Sequence, residues 1–229
     1  DRPADEAVFL AERDGEQWHA YGATDRRFAA IEKRPAPWYV CISTVVRPAE
    51  GSLRRRVEDC AFTYMLVLDD IGTKAKTPPV EPSYKIETSA GNFQWGYLLD
   101  PIKTDENVAL YDATFAAMVA EGYTDPGASG VYRVCRVPGS VNAKRGGFVA
   151  RVTEWHPERA WTLETLAHDF GLRVTVAAPR PTVVGEVQSP LLTQLIDRGL
   201  YKAALGEGKH DITCPWVHEH TDAVDGGTC

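Results

Sequence analysis

The sequence predicts an α+β fold, in which a mixed or mainly antiparallel sheet is flanked by a few helices. Segments with strand character recur at 37–45, 64–71 and 83–99, whereas helical spacing is confined to a few stretches. The third of these segments contains Ala90-Gly91-Asn92, a composition typical of a hairpin turn. Hairpins produce antiparallel pairs, and such strands combined with few helices are typical of the α+β class.

Length and composition are those of an ordinary globular protein. The chain has 229 residues, of which 44% are hydrophobic and 25% are charged, and its formal net charge is −7. Because a negative average surface repels polyanions, the composition excludes a protein that is basic throughout. Any nucleic acid must therefore be held by a local patch.

The cysteines and the hydropathy pattern favour a cytoplasmic protein. The 5 cysteines are odd in number and scattered, which favours reduced thiols over a disulfide framework. No apolar run has the length of a membrane span, and the N-terminus lacks a signal-peptide pattern, so we expect no membrane partner. Because the sequence starts at Asp1 and stops abruptly at Cys229, we expect it to be part of a longer protein.

The N-terminal residues 1–22 are mixed and polar, and they predict no regular element. Four apolar side chains are expected to anchor this stretch to the body of the protein: Val8, Phe9, Leu10 and Trp18. The segment 37–45 is rich in β-branched and aromatic residues and predicts a strand. After it, Arg54-Arg55-Arg56 is either a solvated face or a nucleic-acid contact.

The buried strand predicted at 64–71 ends in two adjacent acids, Asp69 and Asp70. Two carboxylates at the mouth of a core strand repel each other and resist desolvation, so they need a partner. A divalent cation such as Mg2+ or Mn2+ is one solution, because carboxylate oxygens suit hard ions. The alternative is that the two acids cap a turn or pair with Lys74 and Lys76.

The hairpin that follows has an apolar and a polar face. Alternation with period two places four apolar side chains on one face: Phe93, Trp95, Tyr97 and Leu99. We expect this stripe to belong to the core. Gln94 and Gly96 lie on the other face, where a polar side chain beside a small residue suggests the floor of a cleft.

Helical spacing at 104–122 predicts a helix with Thr104 as its N-cap and Gly122 as its stop. Asp125 follows directly. The next segment, 131–137, predicts a short strand with two arginines on one face.

The loop at 138–147, punctuated by glycines, carries Asn142, Lys144 and Arg145. Together with the two arginines of the preceding strand, Arg133 and Arg136, it forms either a phosphate site or a surface charge cluster.

The remaining segments predict a strand at 148–155, a helix at 162–170 and a last stretch of the compact domain at 174–178. Pro179-Arg180-Pro181 then marks a boundary, so we predict one domain at 1–178 and a small C-terminal segment at 179–229. Helical spacing returns at 189–205.

The C-terminal segment contains four residues of the types that bind zinc: Cys214, His218, His220 and Cys229. Their spacing departs from the paired Cys-x-x-Cys pattern. The alternative is a small structural hairpin at the join to a downstream region.

Three stretches in this order suggest a family: the strand ending in Asp69-Asp70, the hairpin segment 89–94, and the segment 136–144. They resemble the archaeo-eukaryotic primase (AEP) superfamily, particularly its phage and plasmid primase-polymerase branch, which is similar to the RepB-type primases. The resemblance covers about residues 37–155. It implies a catalytic core of the AEP, RRM-like type.

The resemblance also implies roles for individual residues. Asp69, Asp70 and Asp125 would bind two Mg2+ or Mn2+ ions and carry catalysis. The residues expected at the nucleotide are Ser89, Gln94 in place of the usual His, Arg136, Asn142 and Lys144. The family often separates its first two acids by one residue, whereas strand geometry sends adjacent side chains to opposite faces. A twisted or bulged strand end is therefore needed to bring both acids to one side.

The implied activity is that of a DNA primase and polymerase, a nucleotidyltransferase that transfers nucleotides from (d)NTPs to a 3′-hydroxyl on a single-stranded DNA template. The implied partners are nucleoside triphosphates, that template and a fused or associated replicative helicase. If the protein is phage- or plasmid-encoded, its location is the cytoplasm of a bacterial host. Two alternatives are a metal-dependent nuclease and a non-catalytic replication-origin or single-strand binding module that uses the aromatic hairpin for stacking.

Overall fold

The computed structural model of the chain describes residues 5–33, 36–176, 189–206 and 209–213. The chain divides into two compact units, Asp1–Ala177 and Ala178–Cys229. The predicted boundary after residue 178 lies outside the described residues. So do the four residues considered for zinc: Cys214, His218, His220 and Cys229.

The described part of the first unit consists of strands and a few helices. Its strands are β1 (Glu6–Asp14), β2 (Gln17–Gly22), β3 (Trp38–Val46), β4 (Cys60–Ile71), β5 (Tyr84–Ser89), β6 (Asn92–Lys103), β7 (Val134–Arg136), β8 (Val141–Asn142), β9 (Phe148–Val149), β10 (Arg151–Trp155) and β11 (Ala160–Trp161). Its helices are α1 (Asp25–Lys33), α2 (Thr104–Ala120) and α3 (Leu163–Asp169).

A nine-stranded sheet organises this unit. Its main order is β10-β5-β6-β4-β3-β1-β2, and every neighbouring pair along it is antiparallel. Strand β7 pairs with β3 antiparallel, and β11 pairs with β6 parallel. Strands β8 and β9 form a separate ribbon. The predicted α+β class with a mixed, mainly antiparallel sheet is confirmed.

The N-terminal residues form a hairpin that sequence reasoning missed. Strand β1 lies between β2 and β3, so Phe9 and Leu10 are buried in the core as expected. Strand β2 lies at one end of the main strand order, and Trp18 on it is 44% exposed. Trp18 therefore lies outside the buried core, but its ring still packs against that of Tyr39 on β3, with the ring centres 5.1 Å apart.

The aromatic stripe of β6 belongs to the core, as predicted. Trp95, Tyr97 and Leu99 are buried, and the half-buried Phe93 packs against the same cluster. The cluster also contains side chains of β4 and α2: Leu66, Leu68, Tyr111, Phe115 and Met118. Burial excludes the aromatic hairpin as a stacking surface for nucleic-acid bases.

Gly96, on the opposite face of β6, permits a close approach of Tyr84 from β5. The two residues are cross-strand partners, and a Cβ at position 96 would lie 2.0 Å from Cζ of the Tyr84 ring. The Tyr84 ring thus fills the space beside Gly96. The prediction that Gly96 leaves room for a cleft is therefore wrong.

Several element boundaries differ from the predicted ones. Helix α2 begins at Thr104, but Lys103 is its N-cap residue, and the Thr104 hydroxyl instead bonds Thr63 Oγ1 on β4 at 3.0 Å. The predicted strand at 131–137 is shortened to β7, and the segment 172–176 is neither helix nor strand. Within the described residues, no helix is long and apolar enough to cross a membrane.

The second unit contains α4 (Pro190–Asp197), β12 (Tyr201–Gly206) and β13 (Lys209–Ile212), and the two strands pair antiparallel. The predicted helix at 189–205 is therefore too long. Gly199 has a left-handed φ of 67° directly after the C-cap Arg198, and this conformation ends the helix.

We expect Gly96→Ala to lower the free energy of unfolding by about 3 kcal/mol, because the added methyl group displaces the Tyr84 ring from a packed core. Urea denaturation measures this change. Gly22→Ala is the matched control, since a Cβ there meets only ordinary contacts at 3.6 Å, and we expect a change within about 0.5 kcal/mol. Equal effects of the two substitutions would contradict the close approach.

Candidate active site

The end of β4 carries two adjacent acids that share one cavity. The pairing of β4 with β6 shifts register between Leu68 and Ile71, and Asp70 has a left-handed φ of 61°. This irregularity turns the chain so that Asp69 and Asp70 both line the same cavity. It is the kind of bulged strand end that two neighbouring acids require if they are to face one side.

A tight turn follows Asp70 and holds its backbone. The carbonyl oxygen of Asp70 accepts hydrogen bonds from the amides of Thr73, Lys74 and Ala75 at 3.0–3.2 Å. Its carboxylate accepts from Lys74 Nζ at 2.9 Å and from Asn92 Nδ2 at 3.3 Å. The predicted pairing of a strand-end acid with Lys74 is thus present for Asp70.

Asp69 is held by hydrogen bonds to three distant parts of the chain, two of them to its carboxylate and one to its backbone amide. Its Oδ2 accepts from Arg133 Nη2 at 2.9 Å and from Gln94 Nε2 at 3.2 Å. Its backbone amide donates to Thr124 Oγ1 at 3.0 Å, and its Oδ1 accepts from the amide of Asp70 at 2.8 Å. These bonds fix the carboxylate at the cavity wall.

Arg133 belongs to the site, but its pairing with Asp69 was not predicted from the sequence. It lies just before β7 rather than on a strand face shared with Arg136. Its side chain is only 8% exposed, and besides Asp69 it donates to the carbonyl oxygen of Val67 at 2.6 Å. A buried guanidinium needs such partners. The available signal was an arginine in the otherwise apolar run Val131-Tyr132-Arg133-Val134.

Asp125 lines the same cavity as Asp69 and Asp70. It is the N-cap of a short 3-10 turn, and its Oδ1 accepts from the amide of Gly127 at 2.6 Å. The cavity has a volume of about 410 Å3, and its walls also include Arg55, Tyr132 and Arg133. The structure thus brings the three predicted aspartates to one cavity.

A second cavity of about 420 Å3 shares Asp70 with the first. Its remaining walls are Thr73, Lys74, Ser89, Ala90, Asn92 and Phe148. Ser89, which the resemblance places at the nucleotide, is therefore next to one of the acids. Of the residues predicted to bind nucleotide, Ser89 alone lines either of the two cavities described here.

Three of the other residues predicted to contact the nucleotide form hydrogen bonds to the protein itself. Gln94 bridges Asp69 and the backbone amide of Arg136, which donates to Gln94 Oε1 at 3.1 Å. The Arg136 guanidinium donates to the carbonyl oxygen of Val141 and to the Tyr39 hydroxyl. Asn142 has a similar structural contact, from Nδ2 to the carbonyl oxygen of Thr88 at 2.8 Å. Lys144 is exposed in the turn between β8 and β9.

Glu87 stabilises the β5–β6 turn next to the second cavity. Its carboxylate accepts from the amide of Gly91 at 3.0 Å and from Arg151 Nε at 2.7 Å. The amide hydrogen bond, followed by the Arg151 contact, lowers the pKa of Glu87. The contribution of these bonds to stability is present near neutral pH and is lost as the pH falls through the lowered pKa.

The three aspartates fit a divalent cation by ligand type, because carboxylate oxygens are the ligands that Mg2+ and Mn2+ prefer. Within the described ranges, no three Asp, Glu, His or Cys side chains are clustered closely enough to hold an ion as they stand. The carboxylates of Asp69 and Asp70 instead accept from Arg133 and Lys74, so an ion would compete with these cations.

Comparison with known proteins identifies the fold. No family model and no curated protein sequence matches the chain. Among solved structures, the chain is similar to the AEP domain of the cyanophage S-2L primase-polymerase, with a TM-score of 0.55 and 11% identity over 72% of this chain and 89% of that one. It is also similar to the catalytic domain of primase RepB′ in complex with initiator DNA, with a TM-score of 0.47 and 16% identity over 73% and 86%.

The described first unit therefore has the fold of an AEP domain, as the resemblance implied. The roles of the individual site residues stay predictions.

We expect Arg133→Met to lower the free energy of unfolding by about 1–3 kcal/mol, because the carbonyl oxygen of Val67 and the Asp69 carboxylate lose a charged donor. Chemical denaturation measures the loss. Arg56→Met is the matched control: both side chains of its pair with Glu58 are exposed, by 63% and 67%, so removal of that pair costs about 1 kcal/mol or less. A larger loss in the control would contradict a structural role of the buried pair.

Proposed function

We propose that the chain is a primase-polymerase that transfers nucleotides from (d)NTPs to a 3′-hydroxyl on a single-stranded DNA template. One observation carries the proposal: Asp69, Asp70 and Asp125 line one cavity of an AEP-type fold. The two chain segments that supply these acids are joined by the hydrogen bond between Asp69 and Thr124, which are 55 residues apart in the sequence. The primase-polymerase activity named for the cyanophage neighbour agrees with it.

The aspartates are assigned to metal binding. Asp69, Asp70 and Asp125 would hold Mg2+ or Mn2+, which when bound activates the attacking hydroxyl and stabilises the leaving pyrophosphate. Arg133 and Gln94 orient the Asp69 carboxylate. Since Gln94 carries no charge, it contributes by hydrogen bonding rather than by neutralising phosphate charge.

The second cavity is assigned to the triphosphate. Ser89 offers a hydrogen-bond donor there, and Lys74 offers positive charge beside Asp70. Phe148 also lines this cavity and supplies an apolar surface that suits a sugar or base. Arg136 donates a hydrogen bond to Val141 on β8, and Asn142 on β8 donates one to Thr88 on β5. These two bonds hold the ribbon β8–β9 next to this cavity.

The activity is tested with the full chain, a labelled nucleotide and a single-stranded template in the presence of Mg2+ or Mn2+. Primer synthesis or extension supports the proposal. Shortening of the template indicates a nuclease, and binding without either reaction indicates a non-catalytic module. A binding module would also be insensitive to a chelator, whereas nucleotide transfer by the proposed mechanism would stop.

We expect Asp69→Asn and Asp125→Ala to abolish nucleotide incorporation while the far-ultraviolet circular dichroism stays that of the wild type. Both variants remove a carboxylate from the shared cavity. Asp100→Ala is the matched control, because Asp100 is exposed on β6 and lines neither cavity described here. Full activity of either cavity variant would refute the metal assignment.

We expect Lys144→Ala to raise the apparent KM for the nucleotide and to leave kcat nearly unchanged. The exposed ammonium group lies in the turn of the ribbon whose Phe148 lines the second cavity, where it can attract the triphosphate. Steady-state kinetics with varied nucleotide concentration measures the effect, which should diminish at high salt. An unchanged KM would count against a phosphate role for Lys144.

A further inference from the structure

Beyond the two cavities, an exposed tryptophan lies among cations on the N-terminal hairpin. Trp18 on β2 is 44% exposed. The guanidinium carbons of Arg13 and Arg55 lie 5.6 and 5.7 Å from the centre of its ring, and the Tyr39 ring lies 5.1 Å away. We call Arg13, Trp18, Tyr39 and Arg55 the Trp18 surface.

The register of the strands places three members of this surface on one face of the sheet. Trp18 is the direct partner of Arg13, and Tyr39 is the direct partner of Ala11, two residues from Arg13 along β1. Direct cross-strand partners share a face, as do alternate residues of a strand. Arg136 extends the same face, because it is paired with Tyr39 and its guanidinium lies 4.8 Å from the Tyr39 ring.

Arg55 joins the Trp18 surface to the cavity that contains the aspartates. It lines that cavity as well as contacting Trp18, and its Nη1 donates to the carbonyl oxygen of Tyr132 at 3.1 Å. Tyr132 is 39% exposed and lines the same cavity. A path of aromatic and cationic side chains therefore leads from β2 to the candidate catalytic acids.

The chemistry of the Trp18 surface matches a single-stranded nucleic acid. Bases stack on exposed aromatic rings regardless of sequence, and arginines attract the phosphates between them. The protein as a whole carries a charge of −7, so a polyanion requires such a local patch. Glu16 offsets part of this charge, since it accepts from Arg13 at 3.2 Å, but Arg55 donates to a neutral carbonyl oxygen.

We propose that the Trp18 surface binds the single-stranded DNA template, with a base stacked on Trp18 and the backbone directed along Arg55 towards the aspartate cavity. This assignment deepens the proposed function and depends on it for the identity of the strand as a template. It also gives Arg55 a role within the triplet Arg54-Arg55-Arg56, as the member that contacts both the aromatic ring and the cavity wall.

The molecule supplies a matched control tryptophan. Trp155 is 59% exposed and lies on β10, at the opposite end of the sheet from β2. Removal of either indole takes away a similar exposed apolar surface. Any general effect of losing an exposed tryptophan should therefore be equal in Trp18→Ala and Trp155→Ala.

Fluorescence anisotropy of a labelled single-stranded oligothymidylate with the full chain tests the assignment. We expect Trp18→Ala to raise Kd about 5- to 150-fold, which is the range for loss of one stacked base. Trp18→Phe should restore most of the affinity, and Trp155→Ala should bind as the wild type does. Unchanged binding by Trp18→Ala, or an equal loss in Trp155→Ala, would overturn the proposal.

Parallel measurements of nucleotide incorporation separate this proposal from the proposed function. If the wild type incorporates nucleotides and Trp18→Ala extends short templates equally well, the template assignment fails and the activity stands. If the wild type incorporates none but Trp18→Ala still loses oligothymidylate binding, the activity fails and the single-strand surface stands. A changed sedimentation coefficient of Trp18→Ala without oligonucleotide would assign the face to contacts between copies and overturn the proposal.

Discussion

The ion pair between Asp69 and Arg133 holds together the two chain segments on which the candidate site depends. Arg133 is buried and donates both to the Asp69 carboxylate and to the carbonyl oxygen of Val67, so it ties the end of β4 to the chain before β7. Thr124 adds a second tie through the amide of Asp69. Since Asp125 follows Thr124 directly, these contacts explain how an acid so distant in sequence reaches the cavity of Asp69.

The same interactions set the charge of the site. Three carboxylates around one cavity repel one another, and without compensation they would resist partial burial. Arg133 and Lys74 provide that compensation, each with a nitrogen 2.9 Å from a carboxylate oxygen. Two of the three carboxylates are thus paired with a cation of the protein itself.

Much of the fold could be predicted because its elements have strong local signals. Strand β4 is a long apolar run, β5 and β6 flank a short turn, and α2 has helical spacing with a glycine stop. The N-terminal hairpin was missed because the apolar run Val8-Phe9-Leu10-Ala11 is short, and a short run is compatible with either a strand or a helix. The exposure of Trp18 could not be predicted either, since an isolated tryptophan is expected to be buried.

The site was predictable in composition but not in its contacts. The acids can be recognised from a strand that ends in two carboxylates, whereas the partner of Arg133 is 64 residues away in the chain. Gln94, Arg136 and Asn142 occur in the segments expected to meet the nucleotide, yet their side chains bond to the protein itself. Residue type and order carry no information on which of several nearby acceptors a flexible polar side chain selects.

The left-handed backbone of Asp70 restricts which amino acids position 70 can accommodate. Most residues with a Cβ pay about 1–2 kcal/mol for this conformation, whereas aspartate, asparagine and glycine adopt it more readily. Glutamate would keep the charge but fit the backbone poorly, and asparagine would fit the backbone but lose the charge. Aspartate therefore combines a negative charge with this backbone conformation at the lowest cost in strain.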